Sequence, residues 1–488
     1  MFRKKFLKIL SLVTISSFAV SLAACSTANT ESTTGTTVSV VDTETTTADT
    51  SVDEISNSND GEHAIEADGE TIEYSNISVT KTGDSSSGDE ADFYGDNSAI
   101  FATNGADITL TNITVDTDGT HANAVFSYGT GTTVNISDSV ITTSGNCSGG
   151  LMTTGGGTMN ATDLTIYTTG NSSAAIRSDR GGGTVNVDGG SYTTDGTGSP
   201  VIYSTADITV SNAVLVSTAS QGVVVEGQNS VTLIDVDLTA DNTTKNSDNS
   251  DYYQAVMIYQ SMSGDAEEGL ASFTMNGGSL TNLNGDVFFV NNTVTTITLE
   301  DVEVVNQDTN GVFLRAAAAG WGTSGSNGGK VDLFLISQSL DGDILVDDIS
   351  QLNMYLQSGT TYEGAINSDN AGEVYVEIES GSAWVLTEDS YITSLTCDAN
   401  GIDLNGYKLY VNGVLYEEGT ASEGEAIEMV IETSGSNGAP DGMPGEPPTG
   451  GAPDGEMPGD PPSGDGSDRP VPPDGGEGQE PPARPEDN

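Results

Sequence analysis

Short runs in which apolar and polar residues alternate recur along the chain between residues 97 and 364. Alternation with a period of two predicts β-strands that bury one face. The runs repeat about every 25 residues, and the first four units are 97–122, 123–148, 149–173 and 174–199. No apolar stripe at helical spacing interrupts them, so no helix is expected. Short strands joined by turns too small for crossover helices predict an all-β fold, a right-handed parallel β-helix of about eleven coils.

One column of residues supports this register. Residues that tolerate a left-handed bend or bond their own backbone in turns follow the second strand of each unit. They are Asn112, Asp138, Asp163, Gly189, Asn212, Asp235, Gly277 and Asp301. Glycine has no side-chain ligand atom, so we interpret the column as a series of turns and not as a ladder of metal ligands.

The ends of the chain differ in composition from the repeats. Basic residues, an apolar stretch and small residues precede Cys25, which is typical of a secretory signal peptide. Fourteen of the fifteen prolines lie beyond residue 439, where they would disrupt stacked strands. We predict five segments: a signal peptide (1–24), a Thr/Ser-rich tether (25–60), the β-helix (61–371), a last coil with a C-terminal cap (372–433) and a disordered Pro/Gly/Asp-rich tail (434–488).

The sequence Leu22-Ala23-Ala24-Cys25 resembles the lipobox of bacterial lipoproteins. That resemblance implies that Cys25 is acylated and becomes the mature N-terminus. We therefore expect a lipid-anchored, extracytoplasmic protein at the cell membrane or cell surface, because two acyl chains suffice for stable anchoring. An ordinary signal peptide with a chance cysteine is the alternative.

The net charge limits the possible partners. The chain has 72 acidic and 13 basic residues, a formal charge of −59. Four of the bases lie in the expected signal peptide, so little remains to neutralise phosphates and a nucleic-acid partner is excluded. We expect a monomer whose partner is a polysaccharide or a neighbouring cell surface.

The repeat and its strand pattern over residues 62–432 resemble the pectin-lyase-like β-helix group of bacterial proteins. The resemblance implies a polysaccharide lyase, a glycoside hydrolase, a non-catalytic carbohydrate-binding β-helix or an adhesin. The Asn-Thr-Asp, His-Gly and Arg-x-Lys signatures of the hydrolases do not occur in this sequence. We therefore expect a non-catalytic surface protein that binds carbohydrate or acts as an adhesin. A lyase or hydrolase with an atypical site and a structural envelope spacer are the alternatives.

The first strand of each unit suggests where a ligand binds. If Ile176 and its equivalents point inward, the next residue points outward, and an apolar and aromatic stripe follows one sheet. Long insertions flank that sheet, and exposed aromatic patches often mark binding sites. The predicted ligand residues are Phe126, Tyr128, Arg177, Tyr203, Tyr259, Phe288, Phe313, Arg315 and Trp321. A register shifted by one residue, or insertions that cover the stripe, would remove this platform.

Two further expectations concern metal and thiol chemistry. Asp241, Asp248 and Asp251 lie in one insertion and could bind Ca²⁺ through oxygen ligands, although a solvated acidic loop is the alternative. Cys147 and Cys397 lie about nine coils apart, so no disulfide is expected between them.

Overall fold

The computed structural model describes residues 52–431 except Asn246, Asp248, Ser250 and Asp251. These residues form a right-handed parallel β-helix, which confirms the fold predicted from the alternating pattern. The expected signal peptide, Cys25 and the C-terminal tail lie outside the described residues. Within the described part of the chain, no helix is long and apolar enough to cross a membrane.

Three long parallel sheets form the faces of the β-helix. Sheet A contains the strands Asp53–Asn57, Ile77–Lys81, Thr114–Thr117, Val140–Thr143, Thr165–Thr168, Ser191–Thr194, Val214–Ser217, Asp237–Ala240, Ser279–Asn282 and Glu303–Asn306. Sheet B contains Ile65–Asp68, Ile100–Thr103, Val125–Tyr128, Leu151–Thr154, Ile176–Ser178, Ile202–Ser204, Val223–Glu226, Gln254–Tyr259, Asp286–Asn291, Val312–Ala316 and Asp343–Val346. Sheet C contains Thr71–Ser75, Asp107–Thr111, Thr133–Ser137, Gly157–Thr162, Gly183–Asp188, Asp207–Ser211, Ser230–Ile234, Leu270–Asn276, Thr293–Glu300, Gly329–Ile336, Gln351–Gln357, Glu373–Ile378 and Ser394–Cys397.

Two small sheets complete the C-terminal end. Sheet D contains Ser339–Asp341, Thr361–Glu363, Ala383–Val385 and Ile402–Asp403. Sheet E contains Ser390–Ile392, Leu409–Val411 and Val414–Leu415, the last two paired antiparallel.

Each typical coil passes through sheets B, C and A in that order. The turn between sheets C and A contains the predicted column of left-handed residues, and all eight have positive φ, from 52° to 77°. This confirms the turn interpretation. Asparagine, aspartate and glycine occupy the column because they adopt this conformation at the lowest cost.

The core fills the space enclosed by the three sheets. On sheet B, Ile100, Val125, Leu151 and Ile176 pair directly in consecutive coils, and all four are buried. Each inward position therefore contacts its equivalent above and below, and one apolar column runs through the stack.

The β-helix extends beyond both predicted boundaries. Asp53–Asn57 pairs with Ile77–Lys81, so the first strand begins inside the segment expected to be a tether. At the other end, Glu373–Ile378 and Ser394–Cys397 add two strands to sheet C, and Trp384 is fully buried. Sheet C consequently has thirteen strands, where about eleven coils were expected, because the segment taken as one coil and a cap also alternates.

One helix, Gly88–Tyr94, interrupts the repeats, so the expectation of no helix was wrong. The Ser87 side chain accepts a hydrogen bond from the backbone N–H of Glu90, and Gly95 ends the helix with φ 85°. Seven residues are too few to show a 3.6-residue stripe. Serine followed three residues later by glutamate is nevertheless a known N-terminal helix signal.

A glycine column lies in the turn between sheets A and B. Gly119, Gly145, Gly170 and Gly196 occupy the same position in consecutive coils. A Cβ atom on any of the last three would overlap the carbonyl oxygen of the preceding glycine in the column. Close backbone approach, and not a left-handed conformation, therefore requires glycine here.

A serine column follows the glycines. The backbone N–H of Ala122 donates to Ser148 Oγ, that of Ser148 to Ser173 Oγ, and that of Ser173 to Ser199 Oγ, each at 2.9 Å. The hydroxyls thus accept from buried amides in this turn, which would otherwise lack a partner at considerable cost.

Candidate functional site

The outer face of sheet B contains the residues predicted to bind a ligand. Strand pairing stacks one outward residue per coil into a row. The row consists of Phe101, Phe126, Met152, Arg177, Tyr203, Val224, Met257, Phe289 and Arg315. The register predicted from the sequence therefore holds through Met257 and fails in the next coil.

Phe288 and Phe313 do not belong to this outer face, so their prediction as ligand residues was wrong. Phe288 pairs with the inward Val256, and both phenylalanines are fully buried in the central core. Their ring centroids lie 5.4 Å apart. Phe289 occupies the outward position. The strand Asp286–Asn291 is buried on both faces, so its sequence carries no alternation to fix the register.

The N-terminal part of the row is covered. Phe101, Phe126 and Met152 form a separate apolar cluster, and Tyr128 packs against it. The helix Gly88–Tyr94 lies over this cluster, since the rings of Tyr94 and Tyr128 meet at 5.8 Å. Phe126 is fully buried and cannot contact a ligand, and Tyr128 is partly buried. This part of the stripe is therefore covered by a helix that the sequence pattern did not predict.

A second apolar cluster occupies the C-terminal part of the same face. Val224, Met257, Tyr259, Phe289 and Ala317 are buried there, with Tyr203, Ala319 and Trp321 packed against them. The Tyr259 and Trp321 rings meet edge to face, with centroids 5.1 Å apart. The predicted residues Tyr203, Tyr259 and Trp321 are thus brought together, although they come from two strands and an insertion.

A buried carboxylate fixes the two tyrosines. Glu226 accepts hydrogen bonds from the hydroxyls of Tyr203, Tyr259 and Ser261, and only 1% of its surface is exposed. Burial, reinforced by the neighbouring Glu226 charge, raises the pKa of both tyrosines far above the usual range. Both hydroxyls therefore stay protonated and donate to Glu226.

Arg177 lies between the two apolar clusters and is held by acidic groups. Its Nη2 is 2.7 Å from Asp179 Oδ2 and 3.6 Å from Asp92 Oδ2. Burial raises the pKa of Asp179, and the Arg177 charge opposes that shift. Arg177 was predicted as a ligand residue, but its guanidinium is committed to this buried ion pair.

Arg315 is similarly engaged. Its Nε donates to Asp286 Oδ2 at 2.6 Å, and the guanidinium lies over the Tyr252 ring, 4.1 Å from the centroid. Burial raises the pKa of Asp286, and Arg315 opposes that shift through a hydrogen bond and its charge. Arg315 therefore supports the second cluster and does not line the cleft beside it.

The cleft beside this cluster has a volume of about 280 Å³. Its walls combine aromatic rings with amide and hydroxyl groups. The lining residues are Gly198, Pro200, Tyr203, Gln221, Val224, Asn242, Thr244, Lys245, Ser247, Asn249, Tyr252, Gln254, Met257, Tyr259 and Trp321. No aspartate or glutamate occurs among these described residues. No pattern in the sequence points to Gln221, Asn242 or Gln254, although Asn242 and Tyr252 belong to the insertion that contains the predicted calcium ligands.

Two amide groups in the cleft wall have unused acceptors. Asn242 Oδ1 and Gln254 Oε1 are buried and lack a hydrogen-bond partner within the described residues. Their amide nitrogens are engaged, that of Asn242 with the Gln254 carbonyl at 3.0 Å. Buried acceptors normally have donors, so these two oxygens are exceptions in the wall of the cleft.

The predicted calcium ligands are only partly described. Asp241 is half-buried, and its backbone N–H donates to the Ser217 carbonyl at 2.9 Å. Asp248 and Asp251 lie outside the described residues, so the calcium site stays a prediction.

The function has to be inferred from these residues, because no relative supplies it. Searches found no protein-family model, curated protein or solved structure that matches the chain.

Proposed function

We propose that this protein is a non-catalytic surface lipoprotein whose β-helix binds carbohydrate in the cleft over sheet B. The cleft walled by Tyr203, Tyr259 and Trp321 is the observation that carries the proposal. Aromatic rings stack on the apolar faces of sugars, and amide groups bond their hydroxyls. Anchored outside the cell, such a protein would hold extracellular polysaccharide or attach to a neighbouring surface that displays it.

The size of the cleft limits the ligand. Pockets for drug-sized molecules usually measure about 300–1,000 Å³, and this one lies just below that range. It suits one or two sugar rings, whereas an uncovered stripe along the sheet would suit a long polymer segment. A chain end or one short stretch of a polysaccharide therefore fits best.

Binding is better supported than catalysis. Glycoside hydrolases generally use two carboxyl groups that flank the scissile bond. The described cleft lining contains no carboxylate, and the nearby Glu226 is buried and accepts from three hydroxyls. Lys245, the basic residue among the described lining, lies 5.0 Å from the centroid of the Tyr253 ring. The net charge of −59 favours a neutral glycan over an acidic one.

Replacing Trp321 by alanine should weaken glycan binding about tenfold, equivalent to ~1.4 kcal/mol, because one wall of the cleft is lost. Glycan arrays with the full-length protein would identify a ligand, and titration calorimetry would compare variants. Tyr167→Ala is the matched control, since Tyr167 is 40% exposed on sheet A, away from the cleft. Equal binding by both variants would exclude this cleft as the binding site.

Replacing Cys25 by alanine should release the protein from membranes or leave it unprocessed, because the acyl anchor can no longer form. Cell fractionation would measure this, with Cys397→Ser as the control that stays membrane-bound. Mass spectrometry of the wild-type N-terminus gives a direct check. An unmodified mature N-terminus would contradict the lipoprotein assignment.

A further inference from the structure

We propose that Asp92, His121 and Cys147 form a binding site for Zn²⁺ on the outside of the β-helix. One potential ligand atom from each residue lies within 4.8 Å of the other two. Among the described residues, no other three acidic, histidine or cysteine side chains lie this close together. The inference does not depend on the proposed carbohydrate function.

The fold places two of the three ligands side by side. His121 and Cys147 occupy corresponding positions in the turn between sheets A and B of consecutive coils. Both have left-handed backbones, with φ of 57° and 55°, and their N–H groups donate to Asn146 and Asn171 carbonyls respectively. Ser172 holds the same position in the next coil with φ 55°. The backbone conformation of this turn therefore does not require histidine or cysteine at this position.

The third ligand comes from the helix that interrupts the repeats. Asp92 lies on Gly88–Tyr94, and its Oδ1 is 3.3 Å from His121 Nδ1. This is long for a hydrogen bond to nitrogen. Two ligand atoms bound tetrahedrally at about 2.0–2.1 Å from one zinc ion are separated by roughly 3.3–3.5 Å. The distance between His121 Nδ1 and Asp92 Oδ1 thus already equals the distance between two ligand atoms of one zinc ion.

Arg177 orients the carboxylate for this role. It lies 3.6 Å from Asp92 Oδ2, on the other oxygen from the one facing His121. The paired Asp179 holds the guanidinium at 2.7 Å. Groups outside the ligand set commonly position metal-binding carboxylates in this way. Oδ1 therefore stays directed towards His121.

The donor set selects the metal. One sulfur, one nitrogen and one oxygen suit Zn²⁺, whereas Ca²⁺ requires six or more oxygen ligands. Three protein ligands leave a fourth position for water. Coordination to the metal would deprotonate the Cys147 thiol directly.

Cobalt(II) provides a spectroscopic test, because thiolate coordination produces a near-ultraviolet charge-transfer band. The full chain carrying Cys25→Ala has Cys147 and Cys397 as its only thiols. Titration of this protein with Co²⁺ after chelator treatment should give the band at one equivalent, and Zn²⁺ should abolish it. Cys147→Ser should remove the band, and His121→Asn should weaken Co²⁺ binding more than tenfold. Both replacements suit the left-handed backbone, since serine already occupies the next coil and asparagine tolerates it.

Two matched controls use the remaining cysteine and histidine. Cys397→Ser and His63→Asn should keep the band and the one-to-one stoichiometry, because neither residue belongs to the cluster. Circular dichroism would establish that each variant is folded. The proposal is overturned if the parent protein shows no band, or if the band survives Cys147→Ser and disappears with Cys397→Ser.

Discussion

Replacing Gly145 by alanine is expected to destabilise the β-helix by about 3 kcal/mol, the upper end of what overpacking usually costs. The new methyl group would overlap the carbonyl oxygen of Gly119 in the coil below. That oxygen belongs to backbone, so no flexible side chain can move aside. The two coils would have to separate locally, which would also strain the Ser148 bonds nearby. Urea denaturation followed by circular dichroism would measure the loss.

Gly406→Ala separates this effect from ordinary backbone strain. Gly406 has a φ of 90°, and a Cβ there would meet no atom within 4 Å. Its replacement should cost about 1–2 kcal/mol, the general penalty for a left-handed residue. If Gly145→Ala is no worse than Gly406→Ala, the coils are not in the close contact described above.

Replacing Arg177 by methionine should cost about 3–5 kcal/mol, as expected when one partner of a buried ion pair is removed. The variant leaves Asp179, whose side chain is only 6% exposed, without its cation. The loss expected for Arg177→Met is thus similar to the loss of about 2–5 kcal/mol expected for Ile176→Ala in the core. An outward residue on an open face would cost much less. Arg180→Met is the control, since Arg180 is 43% exposed and should contribute about 0–1 kcal/mol.

The Arg177→Met defect should shrink as the pH falls. Burial raises the pKa of Asp179 in the folded state, and without Arg177 nothing comparable opposes it. A carboxyl group with a raised folded pKa favours folding at low pH and loses that contribution as the pH rises through the folded pKa. Urea midpoints of variant and parent at pH 7 and at about pH 4.5 would measure this. Asp92 and Asp265 also face this region, so Asp179→Asn in the same background should remove most of the pH dependence.

The sequence predicts the regular part of this fold well. Most strands of sheets C and A repeat the alternation, and every residue of the Asn112 column adopts the left-handed turn expected of its type. Stacked coils impose the same backbone geometry many times, so the signal accumulates over the repeats. The inward position of Ile176 follows from the same alternation.

The irregular parts were less predictable. Phe288 and Phe289 are both buried, so hydrophobicity alone cannot say which points inward. The helix Gly88–Tyr94 and the insertions cover an outer face that the strand pattern treats as exposed. Arg177 indicated that face correctly, but its acidic partners come partly from the helix, and no strand periodicity reveals such a contact. The candidate site therefore emerges only when insertions and sheet are seen together.

The serine column implies that the length of this molecule can change by whole coils. Ala122, Ser148 and Ser173 each donate a backbone N–H to the serine hydroxyl one coil further on. If one unit were deleted in evolution, Ala122 would face Ser173 in place of Ser148, and the same bond would form. Duplication of a unit would likewise create two interfaces of an existing kind. The distance between the two ends is thus adjustable by recombination within the gene, without any new contact having to arise.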